Sequence, residues 1–246
     1  ADWRQVNRLL ITRAGNIVYS GYVASNLSAG KVDPNGNLLW SIDLEREYGI
    51  PGRETGRITP DFYSGQCPLI DNEVAVIAPG VKALMIGVDC ATGKVVWNTP
   101  NPDSLHMSHG SIIPMTIFGK KMYVYNAVGG VCGISAEKED AGKLLWTATD
   151  WSPATTAASP LLLGNNEIAV FGSYGAGGAR ILISFDGNKY SATVKEQHKG
   201  TEGIASDQQT PIIIGEYIWC VMPENAGPLK KQLVCFHKSD LLTPVF

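Results

Sequence analysis

The chain has 246 residues, 44% of them hydrophobic and 17% charged, with a formal net charge of −3. That is enough apolar material for a sizeable core, but the longest apolar runs, Ala158 to Gly164 and Thr210 to Met222, are interrupted well short of the roughly 20 residues a membrane span needs. Lys and Arg are scattered, with adjacent pairs only at Lys120-Lys121 and Lys230-Lys231, so a duplex nucleic acid partner, which demands a basic patch, is excluded along with membrane insertion.

Read in chain order, the sequence repeats itself. Units run over approximately 8–40, 66–97, 112–146, 158–194 and 209–246, within one domain spanning 1–246. Each unit predicts four short strands separated by Gly, Asn and Asp turns: an apolar strand led by proline (Pro68, Pro114, Pro160, Pro211), a β-branched and aromatic strand, a third ending near Asp or Ser, and a fourth carrying an aromatic. No segment longer than a turn or two has helical periodicity, and "EREYG" (Glu45 to Gly49) reads as a solvated turn. Self-similarity at about 50 residues per unit, all in short strands, predicts a β-propeller of four-stranded blades, about five of them in this chain.

The turn between the outer strands is the most regular feature. "GVDCATGKVVW" (Gly87 to Trp97), "PNGNLLW" (Pro34 to Trp40) and "AGKLLW" (Ala141 to Trp146) all place glycine four residues before tryptophan. The glycine supplies a positive φ. Trp40, Trp97 and Trp146 are then docking residues, each covering the neighbouring blade while its indole N–H finds a backbone partner.

These residues resemble the tryptophan-docking motif Ala-x-Asp-x-x-Thr-Gly-Lys-x-x-Trp of quinoprotein-like propellers, with Gly87 where alanine is usual. The resemblance runs through nearly the whole chain and implies an exported bacterial protein, periplasmic or secreted. It also implies a ring of seven or eight blades, of which this chain, with about five, would be a part. "ADWRQV" (Ala1 to Val6) reads as the fourth strand of a preceding blade with its own aromatic, Trp3, which leaves five blades with one strand too many.

In a propeller the loops entering the innermost strands gather at one mouth of the central channel. Here they bring Tyr63, Ser64 and Gln66 from the second unit, His109 and Ser111 from the third, Thr155, Thr156 and Ser159 from the fourth, and Ser206, Asp207, Gln208, Gln209 and Thr210 from the fifth. Short hydrogen-bonding groups converging from four blades suit a polar small molecule or a peptide; Gln66, His109, Ser111, Thr155, Thr156, Asp207 and Gln208 are the candidate ligand-binding set. His109 is the default acid or base there. The "HMSH" spacing of His106 and His109 on an extended loop does not aim both rings at one metal ion, and "GSYGAGGAR" (Gly172 to Arg180) joins two strands with no helix following, so it reads as a mobile hairpin loop rather than a phosphate cradle.

Of the five cysteines (Cys67, Cys90, Cys132, Cys220, Cys235), Cys90, Cys132 and Cys235 sit inside apolar strands as small hydrophobes; one disulfide is the alternative. The family's enzymes carry an adjacent cysteine pair beside pyrroloquinoline quinone, with Glu and Asn ligands for calcium; this sequence has no Cys-Cys. The reading is a non-catalytic module that binds or scaffolds a protein, peptide or glycan in the cell envelope, without metal or cofactor. The alternative is a pyrroloquinoline-quinone- and calcium-dependent dehydrogenase of alcohols or sugars. A glycan hydrolase or lyase would need a second carboxylate facing Asp207.

Overall fold

A computed structural model describes residues 3–23, 26–50 and 66–246. Its twenty strands form five four-stranded antiparallel sheets, each in simple chain order. The blades comprise β1–β4 (Trp3–Ile11, Ile17–Val23, Asn26–Val32, Leu38–Asp43), β5–β8 (Leu69–Asp71, Val74–Ile77, Met85–Asp89, Val95–Thr99) and β9–β12 (Ile113–Ile117, Lys120–Ala127, Gly130–Ser135, Leu144–Ala148). They continue with β13–β16 (Leu161–Gly164, Glu167–Gly172, Gly177–Phe185, Tyr190–His198) and β17–β20 (Ile212–Ile214, Tyr217–Val221, Leu233–His237, Asp240–Pro244).

Two expectations are corrected. Trp3 to Val6 is no separate fourth strand: it continues into β1, paired with β2 from Trp3 opposite Val23 to Ile11 opposite Ile17, so the described strands make five complete blades with none over. The turn at Glu45 to Gly49 is part of a short helix, α1 (Leu44–Tyr48), which Asp43 caps by accepting the Arg46 N–H at 3.0 Å and Gly49 ends in left-handed backbone. Leu44 and Tyr48, one turn apart, are its buried face.

The core lies between the blades, in four layers. Val18, Ala29 and Ile42 of the first blade meet Ala75, Ile77 and Ile86 of the second. Val76 and Met85 meet Tyr123, Tyr125 and Ile134 of the third. Val124 and Trp146 meet Ile168, Val170 and Ile181 of the fourth, and Ala169 and Phe171 meet Ile218, Val234 and Phe236 of the fifth. Strand alternation produces this: one face of a sheet packs on the preceding blade and the other on the next. Pro68, Pro160 and Pro211 directly precede their inner strands, whereas Pro114 lies within β9 opposite Tyr123.

The tryptophan seams are explicit. Trp40 donates its indole N–H to the Cys90 carbonyl of the second blade at 3.1 Å, and a Cβ on Gly93, in that blade's turn, would stand 2.6 Å from its ring. Trp97 meets Gly142 of the third blade in the same way, again at 2.6 Å, and stacks on Tyr123. Both glycines hold positive φ, so the turn and the close approach require glycine together. Within its own sheet Trp97 lies over Gly87, and Trp146 over Gly133. Of the three indoles only Trp40 has the expected backbone partner; the Trp146 N–H points to the Met122 sulfur at 3.3 Å, and to this seam the fourth blade brings Phe185 stacked on Tyr190, with Phe118 of the third blade tilted against both, instead of a glycine turn.

All five cysteines are free. Cys90, Cys132 and Cys235 are buried in strand positions or beside them, and burial pushes the Cys132 thiol up to about 12.

Candidate functional site

Among the described residues, the loops entering the inner strands contact those of the neighbouring blade, and much of their polarity is spent in joining blades. Gln66 is buried: its Oε1 accepts the Ala78 N–H at 3.2 Å and its carbonyl accepts the Ser20 hydroxyl of the first blade at 2.9 Å. Thr156, fully buried, donates to the Phe171 carbonyl at 2.8 Å and accepts from Asn126 Nδ2 at 2.6 Å. Ser111 bridges Cys67 and donates its N–H to Ser159 Oγ at 3.0 Å; the Ser159 N–H in turn reaches Thr210 Oγ1 at 2.9 Å. Together these bonds link each blade to the next. Tyr63 and Ser64 fall outside the described residues.

One member of this set escapes sequence reading. Ser108 donates to the Asn126 carbonyl at 2.6 Å, and its N–H donates to the Tyr125 hydroxyl at 2.6 Å. It ties the loop of the third blade to the end of β10 as Gln66 ties its loop to Ala78 after β6. Aligning units on proline hides it, since Pro114 sits inside its strand.

Less buried are His109, Thr155, Asp207 and Gln208, with a residue the sequence did not single out, Tyr174. His109 is half-buried, its backbone N–H bonded to the Thr156 carbonyl at 3.0 Å, and burial lowers the basicity of its ring. Gln208 is exposed. Asp207 serves as a brace: Oδ1 accepts the Tyr174 N–H at 2.7 Å, and its carbonyl accepts the Ser173 hydroxyl at 2.5 Å. Ser173 N–H reaches the Thr155 carbonyl at 2.9 Å, and Gly200 N–H reaches the Gly175 carbonyl at 3.2 Å.

The glycine-rich loop is therefore tied down at several points, against the expectation of mobility. Its glycines mark close packing: a Cβ at Gly172 would meet Pro153 at 2.6 Å, and one at Gly177 would enter the His198 carbonyl. The tethered loop lifts Tyr174 to 74% exposure on left-handed backbone, φ 57°. A lone large residue amid glycines was the available signal.

Among the described residues nothing presents the adjacent cysteine pair or the carboxylate group that the quinone and its calcium would use. Cys67 is half-buried and the other four thiols are buried, none adjacent to another in sequence, and among the described residues no three His, Cys, Asp or Glu side chains group to hold a metal ion. His106 and His109 belong to no such group; His106 instead bridges Gly80 and Val128 through its backbone.

Successive four-stranded sheets, sealed by tryptophan on glycine, define a quinoprotein-like β-propeller. Residues 25–238 match the profile of the family described as outer membrane protein assembly factor BamB, and the chain belongs to that family. Among solved structures it is similar to BamB from Moraxella catarrhalis, at 17% identity and TM-score 0.49, over 97% of this chain and 67% of that one. A dihydro-heme d1 dehydrogenase, NirN, shares the fold at 11% identity and TM-score 0.51, over 98% of this chain and 56% of that one. A protein of unknown function from Bacteroides caccae aligns at 16% identity and TM-score 0.43, over 98% and 80%. No curated protein sequence matches the chain.

Proposed function

We propose that the chain is a binding or scaffolding module of the bacterial cell envelope, in the periplasm, which holds a protein partner during outer membrane protein assembly, the role its family description carries. The observation behind this reading is Tyr174. Left-handed backbone at a tyrosine costs about 1 kcal/mol or more, and the molecule holds it there with Asp207, Ser173 and Gly175 while leaving the ring exposed. A rigid exposed tyrosine loses little entropy on contact, which is what a binding anchor requires. Thr155, Asp207, Gln208 and His109 provide polar contacts on the same loop system, whereas Gln66, Ser111 and Thr156 hold the loops. Among the described residues no helix is long and apolar enough to cross a membrane.

A photoreactive phenylalanine analogue at position 174, introduced in the native envelope, tests this. A discrete protein adduct is expected from position 174 and not from the exposed distal position Asn188. Equal labelling from both would overturn the reading. The dehydrogenase alternative has its own check: pyrroloquinoline quinone with calcium should leave the thermal midpoint unchanged, and a clear rise would favour the enzyme.

A further inference from the structure

The loops that lead into β9, β13 and β17 carry Asp103, Asp150, Glu202 and Asp207 against one cation, Lys199. Among the described residues Asp103, Asp150 and Asp207 pair with no lysine or arginine, whereas Asp71, Asp140, Glu167 and Glu196 elsewhere in the blades each have at least one. Asp103 and Asp150 are exposed and left to water; Asp207 is half-buried. Its Oδ1 is fixed by the Tyr174 N–H at 2.7 Å, and its Oδ2 has no hydrogen-bond partner among the described residues. A carboxylate so placed keeps acceptor capacity in surroundings less polar than bulk water, where an ion pair gains more than on the open surface.

The residue that this carboxylate holds by its backbone is the one whose ring stands 74% exposed. The face of a tyrosine ring attracts a cation within about 6 Å of its centre, so a π face and an unpaired negative charge adjoin. Gln208, next in the chain and exposed, adds a carbonyl acceptor.

We propose that this site takes an arginine side chain of the partner protein, its guanidinium stacked on Tyr174 and donating to Asp207 Oδ2. The inference deepens the reading of Tyr174 as a protein-binding anchor and rests on it. A guanidinium is flat, weakly hydrated and donates in a fixed fork, so it serves ring and carboxylate together, whereas an ammonium is a compact, strongly hydrated point charge. An apolar or acidic group would cover Asp207 and leave its charge unpaired. The surplus of Asp103, Asp150 and Glu202 over Lys199 draws in a basic segment, and added salt weakens that attraction.

The test places 3-fluorotyrosine at position 174 of the full chain and follows its fluorine resonance. The probes are N-acetylarginine methylamide, the uncharged citrulline isostere and the lysine counterpart. The arginine compound is expected to shift the resonance saturably, about fivefold or more tightly than either of the others, and less tightly at high salt. Asp207→Asn keeps the oxygen that accepts the Tyr174 N–H, so it should abolish the preference for arginine over citrulline with unchanged circular dichroism. Equal affinity for those two compounds in the wild type, absence of a saturable shift, or a preference that survives Asp207→Asn would overturn the proposal. Equal affinity for the lysine compound would overturn the choice of arginine. Photocrosslinking from position 174 fails separately: a discrete protein adduct without arginine preference strikes this inference alone, and no discrete adduct strikes the anchor reading beneath it.

Discussion

The second and fourth seams of the arc solve one problem with opposite chemistry. Between the second and third blades, the row Val76, Gly87, Trp97 offers an aromatic to the Gly142 turn. Between the fourth and fifth, the row on the same side reads Ala169, Arg180, Glu196. Arg180, nearly buried, bonds Glu167 at 2.9 Å and Glu196 at 3.3 Å, and reaches across to the Lys238 carbonyl of the fifth blade at 3.0 Å. Lys195 completes the set on Glu167 at 2.7 Å. The outer turn that the fifth blade presents at this seam, Lys238-Ser239 between β19 and β20, carries no glycine. The lesson is that the repeat fixes where blades meet but not the means, and the two means answer differently to mutation, salt and acid.

Removing the aromatic from a sealed seam should cost most. Trp146→Ala takes a buried indole from between the third and fourth blades, and a loss of about 3–5 kcal/mol in denaturant unfolding is expected. Arg180→Ala should follow at about 3 kcal/mol, since it leaves Glu167 and Glu196 without their buried cation; Arg180→Met with Glu196→Leu should recover most of that loss. A sharper contrast comes from two glycines. Gly93→Ala and Gly36→Ala both strain positive φ, by about 1 kcal/mol, but only Gly93→Ala drives a methyl into Trp40, adding about 1–3 kcal/mol. Equal losses in the monomer would break the docking account.

Acid should discriminate the seams more gently. Lys195, then Arg180, holds the Glu167 carboxyl below its ordinary value of 4.5. The unfolded chain therefore takes up that proton first as pH falls, so the stabilisation is complete above the ordinary value and is lost as pH drops through the lowered one. Amide exchange in β17–β20 should rise under these conditions, and at high salt, before that in β5–β12.

Much of the fold was legible because it rests on short-range rules. Turn glycines, alternating strands and the recurrent tryptophan fix five sheets, and the buried Cys90 and Cys132 follow from their apolar neighbours. Trp3 misled because an aromatic near the start of the chain imitates the end of a unit, whereas β-bulges carry one long strand through it. Arg180 was hidden since nothing local shows that it lies across from Glu196. At the loops entering the inner strands, sequence cannot separate a polar group bonded to a neighbouring blade, such as Thr156, from an exposed one, such as Gln208. Tyr174 needs both its φ and its exposure to be seen.

On the proposed function, the loops at the inner edge bind a protein through Tyr174 while the tryptophan motif builds the scaffold. The most direct test is the equilibrium affinity of the protein crosslinked at position 174 for wild-type chain and for Tyr174→Ala. A loss of tenfold or more, about 1.4 kcal/mol, with an unchanged thermal midpoint is expected. Equal affinity of the two proteins would contradict the account.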